Sequence, residues 1–159
     1  MQVDNLRSEH IDEIVRLDKE CYKEQSLTER QIDKMIKDIN SSGFVLYDGK
    51  KEVIAYLIYL YNSKDFVTTV LRIGVKTSYR RKGMGTKLLN KVKDKIHANK
   101  PYILCNVSDI NLVGQLFLRS QGFVARSIND EKPDDTYYEF IFRYEWKNDV
   151  FREDEVLGV

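Results

Sequence analysis

The residues best suited to chemistry lie together in the segment 80–86, Arg-Arg-Lys-Gly-Met-Gly-Thr. Its three cations and two glycines fall where a predicted strand ends and a predicted helix begins. The unpaired backbone N–H groups and the dipole of a helix N-terminus favour an anion, and glycine lets that anion approach the backbone closely. We therefore predict that this segment binds a diphosphate.

The same region concentrates the positive charge of the chain. Residues 76–100 contain nine Lys and Arg residues and one acid, Asp94, whereas the whole chain has 26 Lys and Arg against 25 Asp and Glu. The near-neutral total excludes a protein that binds polyanions through its overall charge. A solvated helix face is the simplest alternative explanation of such a charge run.

The segment does not fit the common nucleotide-binding loops. The spacing Gly-x-x-x-x-Gly-Lys-Ser/Thr is absent, and a dinucleotide-binding loop needs a third glycine where this chain has Leu88. The two histidines, His10 and His97, lack the spacing of a zinc site or a hydrolase triad. We therefore expect neither a resident metal nor hydrolase chemistry.

The periodicity of apolar residues predicts eleven elements in the order β-α-α-β-β-β-α-β-α-β-β. We expect Ser8 to cap the first helix, Thr28 to form a capping box with Gln31, and Asp48-Gly49 to form a hairpin turn because glycine tolerates a positive φ. Gly122 is expected at the C′ position of the last helix. The predicted strands are 3–6, 44–47, 53–61, 66–75, 102–107, 123–127 and 136–146, and the predicted helices are 8–22, 28–39, 86–98 and 111–121.

This order of elements predicts an α/β (mixed α+β) domain in residues 1–146, followed by a tail, 147–159. The hairpins come first and two strand–helix steps follow, so we expect a mixed, twisted sheet with helices on both faces. The longest apolar run, 53–61, is too short to span a membrane, and the N-terminus shows no signal segment. Two cysteines cannot form a disulfide framework, so we expect a soluble cytoplasmic domain.

The stretch 71–86 resembles the acyl-CoA-binding core of the GNAT family of N-acetyltransferases. Arg80-x-x-Gly83-x-Gly85 matches the family signature Arg/Gln-x-x-Gly-x-Gly/Ala, which opens a helix after a valine-ended strand. Asn111 followed by Gly122-Phe123 resembles the family's Asn-(x)10-Gly-Phe block. The resemblance implies the GNAT fold, in which strands 4 and 5 splay apart and the pantetheine arm of acetyl-CoA fills the gap.

The resemblance also implies a set of coenzyme-binding residues. The backbone on either side of Gly74 would bond the pantetheine amides, the backbone N–H groups of 81–86 would hold the diphosphate, and Asn111 would bond the pantetheine arm. A glycine inside a strand also predicts a bulge or a close backbone approach. The residues assigned in this way are Ile73, Gly74, Val75, Arg80, Arg81, Lys82, Gly83, Met84, Gly85, Thr86 and Asn111.

The reaction implied by the resemblance is direct attack of an amine on the thioester. Many members carry a tyrosine acid seven residues after the asparagine, and the peptide acetyltransferases usually place a glutamate base on the fifth strand. This chain has Leu118 and Asn106 at those positions, and neither side chain transfers a proton. The remaining candidates for catalytic groups are Tyr137, Tyr138, Glu20 and Glu24.

Three further segments resemble one particular group of enzymes within this family. The sequence 18–22, the helix start 26–29 and the tyrosine pair 137–138 resemble ribosomal-protein and other peptide N-terminal acetyltransferases. We therefore expect an N-acetyltransferase whose acceptor is a peptide or protein α-amino group or a small-molecule amine. Two alternatives stay open: an acyl-CoA-binding regulator that has lost catalysis, motivated by Leu118 and Asn106, and a nucleic-acid-binding module that uses the basic segment 76–100.

Overall fold

The computed structural model describes residues 1–129 and 138–147. Within them, seven strands form one sheet in the order β1-β2-β3-β4-β5-β7-β6. Strands β4 and β5 are parallel and the other neighbours are antiparallel, which confirms the predicted mixed sheet. The strands are β1 (Gln2–Asn5), β2 (Ser41–Tyr47), β3 (Val53–Asn62), β4 (Val67–Val75), β5 (Tyr102–Ser108), β6 (Val124–Asn129) and β7 (Glu139–Glu145), and the α-helices are α1 (Ile11–Tyr22), α2 (Glu29–Lys37), α3 (Met84–Lys93) and α4 (Leu112–Ser120).

Helices cover both faces of the sheet, as predicted. Successive side chains of a strand point to opposite faces, so Val45 packs with α1 and α2 whereas Leu46 packs with α3 and α4. Ile14 of α1 and Ile32 of α2 are fully buried in the first of these two cores. The second core contains Leu88, Leu89 and Val92 of α3 together with Leu118 of α4.

Strands β4 and β5 pair only over their first halves. Val67–Val70 lies in parallel register with Tyr102–Cys105, and no pair of these strands follows that of Val70 with Cys105. The second halves, from Leu71 and from Asn106 onward, therefore separate. The predicted splay between strands 4 and 5 is confirmed, and we call the opening between these two half-strands the gap.

A β-bulge lies at the point where the gap begins. Ile58 of β3 pairs with Arg72, but the next residue, Tyr59, pairs with Val70. Leu71 is therefore an extra residue in β4. A bulge bends its strand, which accounts for the departure of β4 from β5 after Val70. The glycine in this strand had predicted a bulge or a close backbone approach, and the bulge lies three residues earlier, at Leu71.

The first two helices depart in detail from the predicted bounds. The capping box at α2 is confirmed, since the Gln31 N–H donates to Thr28 Oγ1 at 3.2 Å and the Thr28 N–H donates to Gln31 Oε1 at 2.9 Å. Ser8 is not a cap, because Arg7 precedes a 3-10 turn that leads into α1. Ile39, the last residue of the predicted second helix, is 96% exposed. The helix ends before it because Asp38 adopts an extended backbone and its Oδ1 accepts from the Asn40 N–H at 2.8 Å.

The predicted hairpin at Asp48-Gly49 is confirmed, since β2 and β3 pair antiparallel on either side of it, but its turn does not use a positive φ at Gly49. Lys51 instead adopts a φ of 63°. The carboxylate of Asp48 organises the turn, since its Oδ1 accepts from the N–H groups of Lys50 at 2.8 Å and Glu52 at 2.9 Å. Asp is favoured in turns for this kind of side-chain to backbone bond.

Helices α3 and α4 meet at their ends. Helix α3 begins at Met84, two residues before the predicted start, and ends at Lys93 instead of continuing to residue 98. Gly122 adopts a φ of 88° after α4, which confirms the predicted C′ position. The Lys93 Nζ donates to the carbonyl of Gln121 at 2.8 Å and so ties the two helix C-termini together.

Candidate active site

The loop between β4 and α3 presents backbone N–H groups to solvent. Gly83 adopts a left-handed φ of 80° and precedes the helix. The helical ladder begins with the Lys87 N–H, which donates to the Gly83 carbonyl at 3.0 Å. The N–H groups of Met84, Gly85 and Thr86 therefore lie ahead of that ladder, where an external acceptor binds. A Cβ on Gly83 would meet no atom within 4 Å, so the space in front of this turn is open. These features fit a diphosphate.

The three cations of the loop are exposed. Arg80 Nε donates to the Val75 carbonyl at 3.0 Å, and Lys82 Nζ donates to the Ser78 carbonyl at 3.1 Å. Arg80 and Lys82 thus brace the loop while keeping their charge beside the helix N-terminus. The first turn of α3 contains no acid, so no carboxylate in it repels an anion.

The first three residues of α3 have different structural roles. Met84 is buried in the core. A Cβ on Gly85 would lie 3.1 Å from the ring of Phe117, so this glycine lets α4 pack against α3. Thr86 Oγ1 accepts a hydrogen bond from Gln121 Nε2 at 3.1 Å, which leaves its hydroxyl proton for another acceptor. Only Gly83 of the two glycines therefore faces open space.

Position 74 has no room for a side chain on the face of the sheet that carries α1. A Cβ at this position would lie 2.6 Å from Cε1 of Tyr56 and 3.2 Å from Sγ of Cys21. The close approach that the sequence predicted is therefore an approach of the protein's own side chains. It allows α1 to lie directly against β4.

The backbone edge of β4 that faces the gap is reached by α1. The Lys76 N–H donates to Ile54 on β3 at 2.8 Å, whereas the carbonyls of Ile73 and Val75 point away from β3. The Tyr22 hydroxyl donates to the Ile73 carbonyl at 2.5 Å. Because a carbonyl has two lone pairs, Ile73 retains one for a ligand in the gap.

The carbonyl of Val75 on this edge also accepts hydrogen bonds from side chains of the protein. It accepts from the Cys21 thiol at 3.3 Å and from Arg80 Nε at 3.0 Å. Sequence reasoning placed Cys21 and Tyr22 only in a segment of family resemblance and missed their contact with the gap. No local signal identifies it, because β4 lies more than 50 residues further along the chain.

A buried carboxylate anchors the wall of the site on the α1 side. Asp18 is fully buried and accepts hydrogen bonds from Arg72 Nε at 2.8 Å, from the Leu27 N–H at 2.7 Å and from the Tyr56 hydroxyl. The carbon of the Arg72 guanidinium lies 3.4 Å from the centroid of the Tyr22 ring. The network therefore holds α1, the start of α2 and the bulged part of β4 in one arrangement.

Burial keeps one phenol and two thiols near the gap protonated. It raises the pKa of Tyr22 to about 12, so this phenol is a hydrogen-bond donor at neutral pH. Burial also raises the pKa of the Cys21 thiol, and it raises that of Cys105 to about 12. Neither thiol is therefore a ready nucleophile, because the reactive form is the thiolate.

The predicted catalytic candidates occupy different settings. Glu20 Oε1 accepts from the Thr77 N–H at 2.7 Å, and this bond, with the charges of Lys76 and Arg80, lowers its pKa and weakens it as a base. Glu24 is exposed in a 3-10 turn. Tyr138 is 61% exposed. Tyr137 lies outside the described residues.

The two positions that depart from the family also differ in setting. Leu118 is 3% exposed and packs in the core between the sheet and α4. Asn106 is exposed on β5, and its Nδ2 lies 3.4 Å from Oε2 of Glu139 on β7. Sequence reasoning missed Glu139, since only the register of β5 with β7 brings it beside Asn106.

Asn111 has a structural partner of its own. Its Oδ1 accepts from the Gly114 N–H at 2.9 Å, as the cap of α4. The bond from Asn111 to a pantetheine arm stays a prediction. In the part of the chain that the structure describes, no helix has the length and apolar character needed to cross a membrane.

Comparison with known proteins identifies the family. Residues 11–123 match the acetyltransferase (GNAT) family. This range covers more than half of the chain and includes the splayed strands β4 and β5, the loop 80–86 and all four α-helices. The chain therefore belongs to the GNAT acetyltransferase family, and its family activity is acetyl transfer.

The solved structures of similar fold include enzymes whose names give chemically different acceptors. The Escherichia coli ribosomal-protein-S18-alanine N-acetyltransferase has a TM-score of 0.78 and 16% identity, over 92% of this chain and 94% of that one. An aminoglycoside 6'-N-acetyltransferase complexed with coenzyme A has a TM-score of 0.74 and 10% identity, over 91% and 97%. A spermidine N-acetyltransferase chimera from Vibrio cholerae and hSSAT has a TM-score of 0.71 and 18% identity, over 91% and 96%. Such identities establish the fold alone. No protein among the curated ones matches the sequence.

Proposed function

We propose that this protein transfers an acetyl group from acetyl-CoA to a primary amine by direct attack of the amine on the thioester. The observation that carries the proposal is the gap between β4 and β5, which opens at the Leu71 bulge and leads to the uncapped N-terminus of α3. A carrier with a diphosphate at one end and an extended amide-containing arm at the other fits both parts.

We propose the following contacts for the parts of acetyl-CoA. The N–H groups of Met84, Gly85 and Thr86 would hold the diphosphate, with the Thr86 hydroxyl as a further donor. The free lone pair of the Ile73 carbonyl would accept from a pantetheine amide. When bound, acetyl-CoA supplies a thioester whose carbonyl carbon accepts the amine.

The backbone at the bulge is suited to the developing negative charge. Ile73, just after the bulge, lies where β4 has left β5, and its carbonyl points away from β3, so its N–H also points into the gap. A fixed N–H donor aimed at an oxyanion lowers the barrier to acyl transfer. We assign the oxyanion contact to this part of β4.

The acceptor is an amine that must lose a proton before it attacks. This is easier for an α-amino group, with a pKa near 8, than for a lysine side chain, with a pKa of about 10.4. The names of structural relatives include a protein N-terminal alanine, an aminoglycoside and a polyamine as acceptors. We propose a peptide α-amino group or a small-molecule amine, and we place the enzyme in the cytoplasm, where its two free thiols are typical.

A second candidate function is an acyl-CoA-binding regulator without catalysis. It is favoured by one observation, that the family's acid position is held by Leu118, which lies in the core and has no proton to give. Such a protein would bind coenzyme A and release no thiol. The nucleic-acid alternative predicts instead that added DNA stabilises the protein through the basic segment 76–100.

Two measurements on the whole chain separate these functions. We expect saturable thermal stabilisation by coenzyme A that added duplex DNA does not reproduce, and release of free thiol from acetyl-CoA with an amine panel. The panel contains an alanine-starting peptide, spermidine and an aminoglycoside, and mass spectrometry identifies the acetylated product. Stabilisation without thiol release for any amine would favour the regulator.

A glycine pair tests the diphosphate contact. Gly83→Ala places a methyl group in the open space before α3, and we expect it to weaken coenzyme A binding at least tenfold. Gly49→Ala is the control, since a Cβ there also meets nothing within 4 Å but lies in the β2–β3 turn. Equal affinities of the two variants would contradict the assigned site. Because Gly83 has a positive φ, the unliganded melting temperature of each variant is recorded as well.

A further inference from the structure

The register of β5 with β7 brings a carboxylate to the edge of the gap. Ser108 pairs with Glu139 and Asn106 pairs with Ile141, so these side chains share one face of the sheet. Cys105 and Val107 lie in the core with α3 and α4, and Asn106 between them therefore points to the face that carries α1 and α2. Glu139 lies on that same face.

Asn106 marks the point where the gap begins on β5. It directly follows Cys105, the last residue of this strand that pairs with β4. Its Nδ2 lies 3.4 Å from Oε2 of Glu139, and Nδ2 of Asn129 lies 3.4 Å from the same oxygen. The two amides hold the Glu139 carboxylate beside the opening without neutralising its charge.

Glu139 has no cationic partner among residues 1–129 and 138–147. The ion pairs of this part of the chain, with N–O separations up to 4.0 Å, involve other carboxylates. A carboxylate with amide neighbours and no cation favours the approach of an ammonium group. Neither Glu20, which is bonded to Thr77, nor the exposed Glu24 is placed beside the gap by such contacts.

We propose that Glu139 is the general base for the acceptor amine and that Asn106 positions its carboxylate; the proposal rests on the acetyl transfer proposed above. The amine arrives as an ammonium ion, and Glu139 takes one proton from it. The nitrogen lone pair then forms a bond to the acetyl carbon while the C–S bond breaks and its electron pair passes to sulfur. The second proton of the nitrogen passes to the thiolate, which gives an amide and a thiol, and Glu139 then returns its proton to solvent.

The test compares Glu139→Gln with Glu145→Gln. Glutamine keeps the shape and a hydrogen-bond acceptor for the two asparagines but removes the basic carboxylate. Glu145 lies on the same strand and the same face, at the end remote from the gap, where it pairs with Tyr102. We expect Glu139→Gln to lower kcat/KM for the amine by about 10²–10⁴-fold at pH 7, as removal of a general base does, and Glu145→Gln to leave it unchanged.

The pH profile separates a base from a merely structural residue. The loss in Glu139→Gln should shrink as the pH approaches the pKa of the acceptor amine, because solvent then removes the proton. Affinity for coenzyme A, measured by calorimetry, should match that of the wild type. Wild-type activity within twofold in Glu139→Gln, or an equal loss at every pH, would overturn the role of Glu139. Absence of thiol release from the wild type would instead overturn the proposed acetyl transfer, and the base assignment with it.

Discussion

Asp18 on α1 and Arg72 on β4 form a two-point ion pair at the bulge. Nε of Arg72 lies 2.8 Å from Oδ1 of Asp18, and Nη2 lies 3.0 Å from Oδ2. Nη2 also donates to the Gln25 carbonyl at 2.8 Å. One guanidinium thus joins the first helix, the segment that leads to the second helix and the strand that borders the gap.

We expect Asp18→Asn to lower the free energy of unfolding by about 3–5 kcal/mol, the typical cost of breaking a buried ion pair. The neutral amide leaves the mostly buried guanidinium of Arg72 without its counter-charge. Urea unfolding at pH 7 measures the change. Asp33→Asn is the control, because Asp33 pairs with Lys37 on the surface of α2. Loss of this exposed pair should lower the free energy of unfolding by less than about 1 kcal/mol. Similar losses in both variants would show that the Asp18 network contributes little.

We expect Gly74→Ala to destabilise the protein, although alanine is the smallest substitution. Its methyl carbon would lie 2.6 Å from the ring of Tyr56, which is fully buried and cannot move aside freely. Overpacking of this kind costs about 1–3 kcal/mol. The melting temperature should fall relative to Gly49→Ala, whose methyl group meets no neighbour within 4 Å. An unchanged melting temperature would mean that the Tyr56 ring can move away from position 74 at little cost.

We expect Leu118→Tyr to lower stability and to leave the rate of acetyl transfer no higher. Restoring the family's tyrosine is the obvious way to restore an acid, but Leu118 is 3% exposed in the core. The larger side chain overpacks this site, and a buried hydroxyl without a partner adds a further cost. Steady-state thiol release and urea unfolding measure the two effects. A faster variant of normal stability would show that position 118 does reach the thioester.

The Glu20–Thr77 bond predicts a stability that depends on pH in the acid range. The pKa of Glu20 is lowered in the folded state by the Thr77 N–H. The stability that ionised Glu20 adds to the folded state is therefore present above the ordinary glutamate pKa of about 4.3. It is lost as the pH falls through the lower pKa of the folded state. We expect Glu20→Gln to be slightly less stable than the wild type at pH 7 and equal to it near pH 2.

Urea unfolding at pH 7, 5, 3 and 2 tests this dependence. Glu24→Gln is the control and should match the wild type in stability, because in the described part of the chain the Glu24 side chain makes no hydrogen bond or ion pair. A difference between Glu20→Gln and the wild type that is the same at every pH would exclude titration of Glu20 as its cause.

The elements and their order could be predicted from the sequence because they depend on local patterns. The capping box from Thr28 to Gln31 spans four residues, and the helix end at Gly122 depends on one. The splay followed from the family resemblance carried by the segment 71–86. These predictions were confirmed because propensity, periodicity and turn chemistry agree in those segments.

What the sequence did not predict depends on contacts between distant segments. The bulge at Leu71 is a property of the β3–β4 register, and the need for glycine at position 74 comes from Tyr56 on the neighbouring strand. Glu139 became a candidate only through its separation of 3.4 Å from Asn106. Positions of this kind cannot be read from periodicity, which specifies the face of a side chain only after the register is known.

The extra residue in β4 also decides which side of the sheet each later residue occupies. Val70 packs with α3 and α4, so strict alternation would direct Arg72 into that same apolar layer. With one residue inserted, Leu71 and Arg72 both turn toward α1 and α2, and Ile73 returns to the opposite layer. The one inserted residue thus turns the Arg72 guanidinium to the face where Asp18 lies, and it keeps this charge out of the apolar layer beneath α3 and α4.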